Sequence, residues 1–382
     1  MHAQVVNCTH SQFRSTGVMS DRTLIVGGGI IGMMTARELH AAGHDVTLIE
    51  RQALGKESSW AGGGIISPLF PWRYLDSITR LASWSQTHYP ELCDQLARDT
   101  GIDPQFTQSG MLMVAPEEIA TATDWAEQHQ RELHLIDRSE YAKLEPQAAQ
   151  PHDNALWMPN VGQVRNPRLA QSLAADIQRR GVTIHTDSPI TELLIEQDRC
   201  VGVKTATQTF HADHVVIAAG AWSGQLLAEQ SLSPTVRPIR GQMILFKTEP
   251  GTLTRIMLEA QRYLIPRRDG HVLFGSSMED VGFDKSTTKT MHDELFEIVT
   301  ERFPILKNAP LVKHWSGLRP SSPAGVPYIA QHPEIAQLYI NAGQFRNGVV
   351  LGAASARLMS DVILQRNTIV DPSPYGWTTP RG

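Results

Sequence analysis

The sequence predicts an α/β fold in which a helix-covered parallel sheet is interleaved with an α+β part built on a large antiparallel sheet. Three observations predict it. A strand–turn–helix–strand unit occupies residues 23–50. A strand-rich stretch with a tight turn runs over residues 236–280. Short apolar strands recur at 182–220 and 338–342, where they can rejoin the first unit's sheet. At 382 residues, 41% of them hydrophobic, the chain suits two such parts sharing an interface.

Thr23-Leu24-Ile25-Val26 is apolar enough for a strand buried on both faces. The turn Gly27-Gly28-Gly29-Ile30-Ile31-Gly32 follows, then a helical pattern to about Ala42 that Gly43 closes. Val46-Thr47-Leu48-Ile49-Glu50 is a second buried strand. Gly27 permits the tight turn, Gly29 a close approach of backbone to a pyrophosphate, and Gly32 close packing of helix on strand. The amides at the helix start, Ile31 among them, offer hydrogen bonds and partial positive charge to phosphates. Glu50 follows Gly32 by 18 residues (50 − 32). A carboxylate there accepts hydrogen bonds from a ribose diol and repels a 2′-phosphate, which argues against NADP. The unit reads as a Rossmann-like dinucleotide site.

The next segments can extend that site. Ser58-Ser59-Trp60-Ala61-Gly62-Gly63-Gly64, followed by Ile65, is small enough for a second close approach to a long cofactor; alone it is an ordinary flexible loop. Val215 to Ala218 is a buried strand ending near Gly220, and Ile190 opens the strand Ile190–Ile195. Alone, these are core strands.

Residues 73–147 read as mostly helical around one strand, Gly110 to Val114. A helix follows at about 167–180, then strands at Val182–His185 and Cys200–Thr205. Arg268-Asp269-Gly270 is a hairpin turn between Tyr263–Pro266 and Val272–Phe274. Leu338–Asn341 is a strand, and a helix spans about Val349 to Leu364.

Composition narrows the function. The net charge of -5 gives no basic excess for nucleic acid, so an anionic substrate needs local positive charge. Cys8, Cys93 and Cys200 are scattered, with no C-x-x-C pair, which argues against a disulfide framework or a metal site and suits a reducing cytoplasm. No apolar run reaches the roughly 18 residues that span a bilayer. Residues 1–18 lack a signal-peptide core and read as a loose extension, or translation begins at Met19.

Two further motifs are Trp315-Ser316-Gly317-Leu318-Arg319-Pro320 and Gly343-Gln344-Phe345-Arg346-Asn347-Gly348. With the N-terminal unit and Ser58–Ser67, they resemble the D-amino acid oxidase-like superfamily of FAD-dependent oxidoreductases, and within it the glycine oxidases of thiamine biosynthesis (ThiO). The resemblance runs from about Thr23 to Leu364. It implies FAD at Gly27, Gly29, Ile31, Gly32, Glu50, Arg51, Ser58, Ser59, Gly63, Gly64, Ile65, Ile190, Gly220, Arg346, Asn347 and Gly348. It implies that Arg319 and Tyr263 bind the substrate carboxylate, with Arg346 close by and Met278 lining the pocket. Taken alone, Arg319 is more often a structural ion pair, Tyr263 a strand tyrosine and Met278 core packing. The chain departs from the family at Gln261, where a histidine is expected, and at Ser67, where glycine or alanine is expected, followed by Pro68.

Relatives that attach FAD covalently use a histidine after the second strand or a cysteine after the arginine. Trp60 stands in the first loop, and Pro320-Ser321-Ser322-Pro323-Ala324-Gly325 has no cysteine, so FAD is expected to be non-covalent. The implied reaction is oxidative deamination of glycine, sarcosine or small D-amino acids to the oxo acid, ammonia and hydrogen peroxide, with oxygen as acceptor, in a cytoplasmic homo-oligomer. A D-amino acid dehydrogenase with another acceptor, an N-methyl amino acid oxidase and a non-catalytic flavin-binding partner protein stay open. The resemblance assigns 19–86, 152–231 and 318–365 to FAD binding, 87–151 and 232–317 to substrate, and 366–382 to a tail.

Overall fold

The computed structural model describes residues 20–381; the expected extension at 1–18 lies outside the described residues. Two large sheets organise the chain. The six-stranded sheet runs in the order Tyr328–Gln331, Leu338–Ala342, His214–Ile217, Arg22–Val26, Asp45–Ile49, Thr183–His185. Its strands are parallel except Tyr328–Gln331. Alternate residues face opposite ways. Ile25, Leu48, Val216 and Tyr339 pack under the helices Ile30–Ala41, Asp76–Thr100, Asn166–Arg180 and Gly348–Ile363. Leu24, Val26, Ile49, Val215, Ile217 and Ile340 pack on the other side, with Cys200, Val203 and Trp377.

The eight-stranded sheet runs Leu311–Ser321, Arg237–Lys247, His271–Gly275, Arg262–Pro266, Ile256–Glu259, Met111–Val114, Asn154–Met158, His134–Asp137. It is antiparallel except where Ile256–Glu259 meets Met111–Val114. The hairpin expected at Arg268-Asp269-Gly270 forms, with Pro266 paired to Val272 and Gly270 at φ 82. Leu311–Ser321 is an edge strand, so Pro320, which has no N–H to donate, sits in it without loss.

Several expectations are corrected. Ile190–Glu196 and Arg199–Thr205 do not rejoin the parallel sheet but form a separate three-stranded antiparallel sheet with Thr209–His211. Within the stretch read as helical, His134–Asp137 is a short edge strand; its Leu135 is exposed, so no alternating pattern betrays it. The strand Leu311–Ser321 runs across the boundary anticipated at 318. The terminal segment after the last helix is largely irregular, yet Tyr375 and Trp377 are buried, and the Tyr375 hydroxyl donates to Ser77 O at 2.7 Å.

Candidate active site

The two sheets meet around a cavity of about 820 Å³. Its dinucleotide end is built by the first βαβ unit. Gly27 has φ 117, and a Cβ there would fall 2.4 Å from Ala218 O. A Cβ on Gly32 would fall 1.9 Å from Gly27 O, so the helix lies directly on the strand. Gly29 and Ile31 line the cavity at the helix start, whose first-turn amides have no helical carbonyl to bond. Ser59 Oγ accepts from Ile30 N at 2.8 Å, tying the second loop to that helix.

Glu50 follows the second strand and takes Gly28 N at 2.7 Å through Oε2 and Gln52 N at 3.0 Å through Oε1. Each carboxylate oxygen keeps acceptor capacity for a ribose hydroxyl. Ser58, Gly63, Gly64, Ile65, Ile190, Gly220 and Gly348 line the same cavity. Arg51 lines it too, but its guanidinium is engaged, 2.6 Å from Glu57 and 3.5 Å from the Trp222 ring centroid. Gly32 and Asn347 stand behind the cavity wall; Asn347 is buried with neither side-chain amide atom paired. The glycine cradle, the helix start, the Glu50 oxygens and the cavity's size fit a dinucleotide as long as FAD.

At the other end stand Tyr263, Arg319 and Arg346. Ile239 pairs with Arg319 and Gly241 with Gly317 across the two adjacent strands. A Cβ on Gly241 would fall 2.1 Å from Arg319 Nη2 and 2.3 Å from Cζ, so the missing side chain there is the space the guanidinium occupies. Arg319 Nη1 donates to Ser277 O at 3.0 Å and Arg240 O at 3.4 Å, and Nη2 donates to Ser276 Oγ. No carboxylate among the described residues pairs with Arg319 or with Arg346. Burial pulls the Arg319 pKa below its ordinary value, and the nearby Arg346 charge adds to that. A half-buried guanidinium without an anion is only partly compensated by its neutral acceptors until an anion binds.

Two further residues carry the site and were not apparent in the sequence. Gly241 is one, because its importance depends on a partner strand 78 residues away (319 − 241). The other is Arg267, whose Nη1 donates to Gln163 Oε1 at 2.6 Å and Val164 O at 2.8 Å and whose Nη2 donates to Gly63 O at 2.6 Å. It clamps the glycine loop to the antiparallel sheet; burial, then neighbouring Arg165, pushes its pKa down to about 9. Gly63 lies against the same sheet: a Cβ there would fall 2.6 Å from Ile265 and 3.2 Å from Tyr263.

Met278 is corrected. It is 52% exposed and does not line the cavity; it lies beyond the strand His271–Gly275, beside Glu279, which pairs with Arg240. Gln261 is exposed at the turn into Arg262–Pro266, with φ 64, and forms no part of the pocket. Ser67 does line the cavity, buried, with its hydroxyl donating to Pro68 O at 3.0 Å.

A family model described as FAD dependent oxidoreductase (DAO) matches residues 22–362. The chain is 44% identical over 358 residues to the glycine oxidase of Pseudomonas aeruginosa, covering 94% of this chain and 98% of that protein. It is 28% identical over 357 residues to the bifunctional protein ThiO/ThiG of Trichormus variabilis, covering 92% of this chain and 54% of that one. The crystal structure of glycine oxidase from Geobacillus kaustophilus superposes with a TM-score of 0.87 at 27% identity, covering 95% of this chain and all of that one.

Proposed function

The chain belongs to the FAD-dependent oxidoreductase (DAO) family, and from that premise we propose that it deaminates glycine and other small amines oxidatively. Glycine, oxygen and water would yield glyoxylate, ammonia and hydrogen peroxide. The observation that carries the reading is Arg319, a part-buried guanidinium paired with no carboxylate among the described residues, set beside Tyr263 and Arg346 at the end of a dinucleotide cavity. The ThiO/ThiG relative supports a role in thiamine biosynthesis.

FAD, when bound, supplies the hydride acceptor and passes the electrons on to oxygen. Gly27, Gly29, Glu50 and the Ser58–Ile65 loop would hold it. Among the described residues that line the cavity there is no histidine or cysteine, which supports non-covalent binding. Arg319 and Tyr263 hold the substrate carboxylate, so that orientation supplies most of the gain. The two arginine charges disfavour an ammonium group nearby and so favour the neutral amine the reaction needs. No protein base is required. Among the lining carboxylates, Glu50 holds the glycine turn, Glu57 pairs with Arg51 and Lys285, and Glu192 and Glu229 belong to the segments beside Ile190 and Leu226.

No helix among the described residues is long and apolar enough to cross a membrane. We assign the enzyme to the cytoplasm, which suits the unpaired, buried Cys93 and Cys200, and expect a homo-oligomer, which sedimentation would measure.

The test is anaerobic titration of the purified yellow protein with glycine, sarcosine and D-alanine, followed by admission of oxygen. Flavin bleaching, then recovery with peroxide release, is expected. Flavin that dithionite bleaches and none of the amines does would overturn the reading. Bleaching by glycine without recovery in oxygen would make it a dehydrogenase.

A further inference from the structure

We infer that Ser276 is a positioning residue whose hydroxyl links Arg319 to Tyr263 and aims the tyrosine proton at the substrate carboxylate. The inference rests on the reading of Arg319 and Tyr263 as the carboxylate site. Ser276 is buried, and its Oγ lies 3.1 Å from Tyr263 Oη and within hydrogen-bond reach of Arg319 Nη2. Neither residue's sequence context points to it.

Donor and acceptor chemistry sets the direction. A guanidinium only donates, so Ser276 Oγ accepts from Arg319. Tyr263 Oη donates to Ser276 Oγ at 3.1 Å; the serine has a single hydrogen of its own, and Tyr263 Oη can accept it once the tyrosine proton turns to a substrate. When serine donates to tyrosine, the tyrosine proton is free to leave the serine. Its other neighbours are Met243 Sδ at 3.8 Å, a weak acceptor, and the Arg319 guanidinium, which only donates. A carboxylate entering the cavity is a far stronger one, and it draws the chain into one sense: Arg319 N–H to Ser276, Ser276 O–H to Tyr263, Tyr263 O–H to substrate. Arg319 has five N–H donors. Two on Nη1 and one on Nη2 serve Arg240 O, Ser277 O and Ser276 Oγ, which leaves Nε–H and the second Nη2 hydrogen for the carboxylate. Ser276 therefore acts on both groups at once without touching substrate.

Ser276→Ala removes the link and keeps the cavity wall. The dissociation constant of glycolate, which has the carboxylate and no amine, should rise about tenfold, read from perturbation of the flavin spectrum. The KM for glycine should rise likewise, while the rate of anaerobic flavin reduction at saturation stays within about threefold. The same substitution in a Tyr263→Phe background should add little, because the relay is already cut. Ser276→Thr, which keeps the hydroxyl, should bind glycolate like the unaltered protein, and Ser276→Cys, close in size but a weak donor, should not. That pair decides the matter if the alanine variant fails to fold. Equal glycolate affinity in the threonine and cysteine variants, or full additivity with Tyr263→Phe, would overturn the inference. Failure of the underlying reading is distinct: the unaltered protein would then bind no glycolate and Arg319→Lys would change nothing.

Discussion

Replacing Gly241 with alanine should cripple substrate binding while sparing the fold. The new Cβ would lie 2.1 Å from Arg319 Nη2, 2.3 Å from Cζ and 2.3 Å from Nη1. Gly241 is not among the left-handed glycines, so alanine can take its backbone angles without strain. The clash therefore falls on the tip of a long side chain, which can swing away at small cost in stability. To reach ordinary contact the guanidinium must move by roughly 1 Å, and a displacement of that size in a positioning group costs about 10²-fold in rate. That is about 2.7 kcal/mol of transition-state stabilisation. Leaving its place also breaks the hydrogen bonds to Ser277 O and Arg240 O. The assay is kcat/KM for glycine by peroxide release, with FAD content and Tm measured on the same preparation. A variant with full FAD and kcat/KM within about threefold of the unaltered enzyme would refute the claim that Gly241 makes room for Arg319.

Other outcomes follow from the same geometry. Arg319→Lys should lower kcat/KM by at least about 2 kcal/mol, mainly through KM, because an ammonium cannot present the two parallel donors of a guanidinium. Glu50→Ala should release FAD on gel filtration, since Glu50 both anchors Gly28 N and offers oxygens to the ribose; undiminished retention would remove Glu50 from the site. Acid precipitation should leave all the flavin in the supernatant as FAD, and yellow colour in the pellet would show a covalent link. His44 is buried, and burial, then the neighbouring His214, hold its pKa below the usual histidine value while Thr23 Oγ lies 2.8 Å from its Nδ1. A group with its folded pKa depressed contributes stability above its unfolded pKa that is lost as the pH falls. Tm should therefore drop as the pH falls below about 6.5, and His44→Gln should flatten that drop.

What the sequence determined was local. Gly27, Gly29 and Gly32 act through the turn and helix they themselves form, so spacing reveals them. Glu50 stands at a fixed distance along the chain from that turn, and Arg268-Asp269-Gly270 closes a hairpin through its own backbone angles. The W-x-G-L-R-P and F-R-N-G segments point to Arg319 and Arg346 only through the resemblance to the family, because the partners of Arg319 lie 42 to 79 residues away. Only the tertiary structure decided which residues serve Arg319. Gly241 matters because strand pairing sets it across from Gly317, under the guanidinium. Ser276 matters because His271–Gly275 runs beside both Arg262–Pro266 and Arg237–Lys247. Arg267 matters because it reaches Gly63, 204 positions earlier (267 − 63). Met278 and Gln261, which the resemblance set near the pocket, are both exposed outside the strands that wall it. Side-chain type and spacing can be read along a chain, but a cavity wall is made by register between strands distant in sequence, and register is settled by the packing of the whole sheet.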